Sequence, residues 1–205
     1  MYKILTLNNI SVKGLQRLPR ENYEVASEVS HPDAVLLRSF KMHDMDIPES
    51  VAAIGRAGAG VNNIPVEKMT NLGVPVFNAP GANANAVKEL VLAGLLMASR
   101  NIGGAMTFAD GLNGTDAEIS TAVESGKKNF VGSELPSKTL GVVGLGAIGL
   151  RVANAALSLG MKVVGYDPQI SVQSAWQLSS GVEKAVSIDH LFSRCDAISV
   201  HVPLM

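Results

Sequence analysis

Apolar residues fall along this chain in short runs separated by polar and glycine-rich turns. Tyr2–Leu7, Glu24–Val25, Ala34–Leu37, Ala52–Ile54 and Val74–Phe77 read as strands. Ala34–Leu37 is apolar throughout, the pattern of a strand buried on both faces. Val12–Leu18 and Val66–Leu72 read as short helices, and Gly73 stops the second. This alternation predicts a parallel sheet covered on both faces, with residues 1–98 as one compact α/β domain. In residues 81–100, Val87, Leu90, Val91, Leu95 and Leu96 recur at helical spacing, with Asn83 or Asn85 as N-cap. That helix is apolar over most of its circumference and is expected to lie buried between two domains. From 99 to 137 glycine and polar residues dominate, and Thr115–Glu124 is acidic. This segment reads as a hinge helix tail, a mobile loop and an approach segment.

Lys138–Pro168 carries the clearest pattern in the chain. Leu140–Val143 reads as a buried strand, Ala147–Leu159 as a helix, and Lys162–Tyr166 as a second strand ending on Asp167. Between the first strand and the helix, Gly144, Gly146 and Gly149 form G-x-G-x-x-G. Each glycine has a mechanical reason: a tight turn, close backbone approach of a pyrophosphate, and close packing of helix on strand. The helix start, Ala147 and Ile148, offers N–H groups and a positive dipole end to phosphates. A carboxylate at Asp167 suits a ribose diol and repels a 2′-phosphate. Pro168 and Gln169 follow it rather than an arginine, so NAD is expected over NADP. A lone glycine motif is weak, but strand, turn, helix and acid-capped strand together are the confirming context. Val182–Val186 reads as a third strand of residues 138–205 and Ala197–Val202 as a fourth. A complete dinucleotide fold has two such halves, and only the first is expected here, which leaves the fourth strand as an open edge prone to association.

Composition narrows the class. The chain has 205 residues, 47% of them hydrophobic, and a formal net charge of −1. Nothing in this balance suggests a nucleic-acid or membrane surface. Cys195 is the single cysteine, which suits a reducing cytoplasm. The N-terminus lacks the apolar core of a signal peptide, and the most apolar run, Leu90–Ala98, is too short to cross a bilayer. No metal-ligand spacing is present.

Arg38 and Ser39 emerge where an apolar strand ends, the edge at which open α/β sheets bind ligands, and a guanidinium grips phosphate bidentately. Arg56 also leaves a strand. Gly58, Ala59 and Gly60 read either as an anion-binding run of backbone N–H groups or as a plain tight turn. His201, with Val202 and Pro203, stands at a strand end beside the glycine motif and looks like an acid–base histidine.

These motifs together resemble the D-isomer-specific 2-hydroxyacid dehydrogenases. The resemblance rests on Leu37-Arg38-Ser39, Arg56 to Val61, Phe77 to Pro80, Glu89-Leu90-Val91, Gly141 to Gly149, Gly165 to Pro168 and His201 to Leu204, and covers essentially the whole chain. It implies a flavodoxin-like substrate domain (1–98), an interdomain helix and loop (99–137) and the first half of an NAD-binding Rossmann-type parallel sheet (138–205), truncated at Met205. It also implies a cytoplasmic homodimer or higher oligomer that acts on a small phosphorylated 2-hydroxy acid, without nucleic acid or membrane partners. The Arg38-Ser39 and Arg56 motifs are most like members oxidising 3-phosphoglycerate in serine biosynthesis, where the matching arginine and serine line the substrate site. The family's catalytic Arg, Glu and His have no matching positions here, so His201 is expected to border the cofactor and the 205-residue chain to be inactive alone. A dehydrogenase of another D-2-hydroxy acid, or a non-catalytic NAD-binding or interaction protein, are the alternative readings.

Overall fold

The computed structural model describes residues 1–202. The chain divides into two compact units, Met1–Asn83 and Ala84–Met205.

The first unit is built on five parallel strands: β1 (Tyr2–Leu7), β2 (Tyr23–Ala26), β3 (Ala34–Leu37), β4 (Ala53–Arg56) and β5 (Val76–Phe77). Their order is β2-β1-β3-β4-β5, the flavodoxin-like arrangement. Short helices α1 (Val12–Leu15) and α2 (Val66–Asn71) are among the connections. Val35, Leu37 and Ile54 of the central strands are buried with Met42, Ile64 and Met69 from the loops and α2. β3 is apolar because it lies in mid-sheet between β1 and β4. The register sets Leu37 beside Arg56, so β3 and β4 end together.

The second unit opens with α3 (Ala84–Ser99), α4 (Ile102–Asp110) and α5 (Asp116–Gly126), and a 3-10 turn follows at Lys127–Phe130. This corrects the expected mobile loop. α5 starts at a capping box, with the Thr115 N–H donating to Glu118 Oε2 at 2.8 Å. Gly126 has no Cβ because the Phe108 ring lies against it, and Phe108 stacks on Phe130 at 5.2 Å. α3 also departs from expectation. Val91 and Leu95 pack on the core of this unit, but Leu90 is 72% exposed and Leu96 and Met97 are exposed too. No single helix among the described residues is long and apolar enough to cross a membrane.

The sheet of this unit has four parallel strands, β6 (Thr139–Val143), β7 (Lys162–Tyr166), β8 (Val182–Lys184) and β9 (Ala197–Val200), in the order β8-β7-β6-β9. This is the Rossmann-like order of one half-fold. α6 (Gly149–Ser158), α7 (Val172–Gln177) and α8 (Ile188–Phe192) connect the strands. Val152, Ala153 and Ala156 of α6 bury against Leu140, Val142 and Val163. β6 carries Gly141, where a Cβ would stand 2.9 Å from Cys195 Sγ.

Candidate functional site

Each unit carries a glycine turn at the C-terminal end of a central strand. In the first unit the turn follows β4. Arg38 leaves β3, and its carbonyl accepts hydrogen bonds from Arg56 Nε at 3.0 Å and Asn63 Nδ2 at 3.2 Å. The Ser39 N–H donates to Asn8 Oδ1 at 3.2 Å. Asn8 sits at φ 69°, a left-handed conformation that asparagine tolerates. Gly58 lacks a Cβ where the Arg56 guanidinium lies, and a side chain there would overlap Nη1. The carbonyls of Gly58 and Ala59 are tied back toward the end of β5. Gly58 O accepts the Ala79 N–H at 2.9 Å, and Ala59 O accepts Asn78 Nδ2 at 2.7 Å. The N–H groups of Ala59 and Gly60 have no acceptor among the described residues. Neither Arg38 nor Arg56 pairs with a carboxylate among the described residues. Two cations, two bare N–H groups and a shallow cleft of about 250 Å³ beside Arg56 and Asn78 make an edge suited to an anion.

In the second unit the turn follows β6. Gly144 has φ 85°, and its N–H donates to Tyr166 O at 2.9 Å. A Cβ at Gly144 would lie 2.8 Å from His201 O. A Cβ at Gly149 would overlap the Gly144 carbonyl oxygen, whereas one at Gly146 would meet nothing within 4 Å. The turn is therefore packed from below and open above. Gly146, Ala147 and Ile148 donate no backbone hydrogen bond among the described residues, so their N–H groups face the open side. Asp167 accepts the Leu145 N–H at 2.8 Å through Oδ2 and the Gln169 N–H at 2.9 Å through Oδ1. Each carboxylate oxygen keeps acceptor capacity for a ribose hydroxyl. Beside Asp167 a cleft of about 380 Å³ is lined by Leu145, Ile170, Leu178 and Val182. An open phosphate turn, a free carboxylate face and an apolar cleft fit a dinucleotide.

His201 lies just past β9, with its N–H on Val143 O at 2.8 Å. Its Nε2 is 2.8 Å from Ser199 Oγ. Burial pushes its pKa below the ordinary histidine value, so the ring is held neutral. Val202 follows it in contact range of the Gly144 turn, and Pro203 lies outside the described residues.

A family model for the D-isomer-specific 2-hydroxyacid dehydrogenase NAD-binding domain matches residues 102–205. The chain belongs to this family. D-3-phosphoglycerate dehydrogenase of Methanocaldococcus jannaschii is 40% identical over 187 residues, covering 88% of this chain and 33% of the relative. The Rattus norvegicus D-3-phosphoglycerate dehydrogenase is 35% identical over 209 residues, covering 99% and 36%. The chain thus spans about a third of the length of these curated relatives. Among solved structures, the NAD⁺-bound 3-phosphoglycerate dehydrogenase of Entamoeba histolytica superposes with TM-score 0.68 at 28% identity, covering 100% of this chain and 63% of that one. The dehydrogenase turn at Gly144–Gly149 and Asp167 therefore belong to an NAD-binding domain. Sequence reasoning missed Asn63, Asn78 and Leu145, which hold the two turns. The only signal for Asn63 was an asparagine pair, Asn62-Asn63, between apolar Val61 and Ile64.

Proposed function

We propose that this dehydrogenase chain binds NAD and 3-phosphoglycerate for the oxidation of 3-phosphoglycerate to 3-phosphohydroxypyruvate, in serine biosynthesis. The observation that carries the reading is the placing of Arg38 and Arg56 together at the ends of β3 and β4, with Arg56 Nε on the Arg38 backbone carbonyl and neither side chain paired with a carboxylate among the described residues. Two arginines on one sheet edge suit a ligand with more negative charge than a simple hydroxy acid carries. Ser39 and the N–H groups of Ala59 and Gly60 complete that anion site, beside Gly58. Gly144, Gly146, Ala147, Ile148 and Gly149 would hold the cofactor's pyrophosphate and Asp167 its ribose, with His201 and Val202 at the border of the site; the expected third border residue, Pro203, lies outside the described residues. Bound there, NAD would supply the two-electron hydride acceptor for the substrate's C2. Asp167 orients the ribose and disfavours a 2′-phosphate. The neutral ring of His201 is engaged by Ser199 and serves packing rather than proton removal. By resemblance the catalytic Arg, Glu and His have no counterparts here, so the 205-residue polypeptide binds without turning over. The same reading places the enzyme in the cytoplasm as a homo-oligomer.

Calorimetric titration of the 205-residue polypeptide tests this. NAD should bind more tightly than NADP. By the usual strength of charge-assisted hydrogen bonds, 3-phosphoglycerate should bind about tenfold or more tightly than glycerate. Equal affinities for the two acids would move the substrate to another 2-hydroxy acid. NADH formation at an enzyme-like rate would refute the inactivity.

A further inference from the structure

Arg38–Met42 has no regular secondary structure, yet it carries two of the residues that face the proposed anion. One side chain beneath it supplies its order. Asn63 is 8% exposed. Its Nδ2 donates to Arg38 O at 3.2 Å and to Phe40 O at 2.7 Å. Its own carbonyl accepts the Met42 N–H at 2.9 Å. A single residue therefore fastens the segment at three alternate positions. The amide can face only one way, because the flipped rotamer would set Oδ1 against two carbonyl oxygens. That orientation leaves Asn63 Oδ1 buried without a donor, which is destabilising. The Arg38 carbonyl is also the acceptor for Arg56 Nε, so one oxygen ties together Asn63 and both arginines.

We propose that Asn63 is a positioning residue: it sets the direction in which Arg38 and Ser39 meet the substrate phosphate or carboxylate, and it couples Arg38 to Arg56 through their shared carbonyl. The inference rests on the reading of Arg38 as an anion-binding residue. It goes beyond that reading by assigning the anion affinity partly to a buried amide that touches no ligand.

A double-mutant cycle on the full 205-residue chain tests it, with 3-phosphoglycerate and glycerate as probes. By the usual worth of a charge-assisted hydrogen bond, Arg38→Ala should weaken 3-phosphoglycerate binding about tenfold. Asn63→Ala should weaken it about fivefold, through lost hydrogen bonds that fix the backbone from which Arg38 and Ser39 project. Coupled residues are non-additive, so Asn63→Ala should cost less than about twofold once Arg38 is already alanine. Glycerate binding, which lacks the phosphate, should change less in every variant. The Met42 N–H bonds the backbone carbonyl of residue 63 in every variant; Asn63→Ser adds one short side-chain donor and serves where Asn63→Ala does not fold. It should show the same Arg38-dependent loss at smaller size. An equal loss in both backgrounds, or none in the parent, overturns the positioning role while leaving Arg38 in place. Unchanged binding in Arg38→Ala removes the anion-site reading itself, and the positioning role falls with it.

Discussion

The two glycine turns of this chain are built on opposite plans. The turn after β6 is fixed by backbone packing. Gly149 presses on the Gly144 carbonyl, and Gly144 presses on His201, with no room for a Cβ at either place. The turn after β4 is fastened largely by side chains: Arg56 and Asn63 reach from it to the Arg38 carbonyl past β3, and Asn78 holds the Ala59 carbonyl, beside one backbone bond from Ala79 to Gly58 O. Backbone packing produces a site whose shape survives most substitutions around it but fails when a glycine is lost. Side-chain fastening produces a site that loosens gradually and can be retuned for different acids. On the proposed reading, a turn that holds one invariant pyrophosphate suits the first plan, and a turn that discriminates among 2-hydroxy acids suits the second.

The sharpest way to break this contrast is Gly149→Ala. The new methyl would meet backbone oxygen, which cannot rotate away, so unit two should lose about 2–3 kcal/mol or more, as in overpacked cores. Urea denaturation would read the loss, and wild-type stability would show that the turn has slack. Asp167→Ala comes next. Among the described residues, this carboxylate is the side chain that hydrogen-bonds to the backbone-built turn, at the Leu145 N–H. Its removal should leave the unit folded but weaken NAD binding about tenfold, the worth of one or two charged hydrogen bonds. Adding Gln169→Arg should move preference toward NADP. Better binding of NADP by the unmutated chain in the same titration would reverse the assignment.

Gly58→Ala probes the side-chain plan. The methyl would meet only the end of the Arg56 side chain, which can swing aside. Stability should drop by no more than about 1 kcal/mol, while 3-phosphoglycerate affinity falls several-fold; a large loss of stability with intact affinity would place this turn with the other kind. The smallest effect concerns acid. Burial lowers the pKa of His201 in the folded state, so the unfolded chain takes up a proton at a higher pH than the folded one. Stability from this group is fully present above about pH 6.5, the unfolded histidine value, and is lost as pH falls toward the lowered folded value. Denaturation midpoints of wild type and His201→Gln, compared from pH 8 down to 5, should diverge only in the lower part of that range, and parallel curves would exclude the effect.

The strands were the most legible part of the fold. Tyr2–Leu7, Ala34–Leu37 and Lys162–Tyr166 stand where the apolar runs placed them, because central parallel strands bury both faces and turn residues bound them. The helices from Ile102 to Gly126 were not legible. Gly103, Gly104 and Gly111 weaken the local helical signal, and a contact with no sequence periodicity, Phe108 on Gly126, supports the pair. The exposure of Leu90 and Met97 was likewise invisible to an apolar-spacing argument, which reports hydrophobicity and not what covers it. Of the candidate sites, the residues proposed to meet ligands were named from motifs at strand ends. The residues that fasten those strand ends could not, since Asn63 to Arg38 and Asp167 to Leu145 are pairings across the fold rather than along the chain.

The close fit of Cys195 against Gly141 has a practical consequence. The thiol is partly covered, and burial raises its pKa, so little thiolate is present at neutral pH and alkylating reagents should react slowly. It is the chain's single cysteine and lies behind β6, the strand that delivers the NAD turn. Its labelling rate is therefore a stopwatch for opening of the nucleotide unit, read without interference from the substrate unit. NAD bound to the closed form should slow that clock by the factor by which it stabilises the unit.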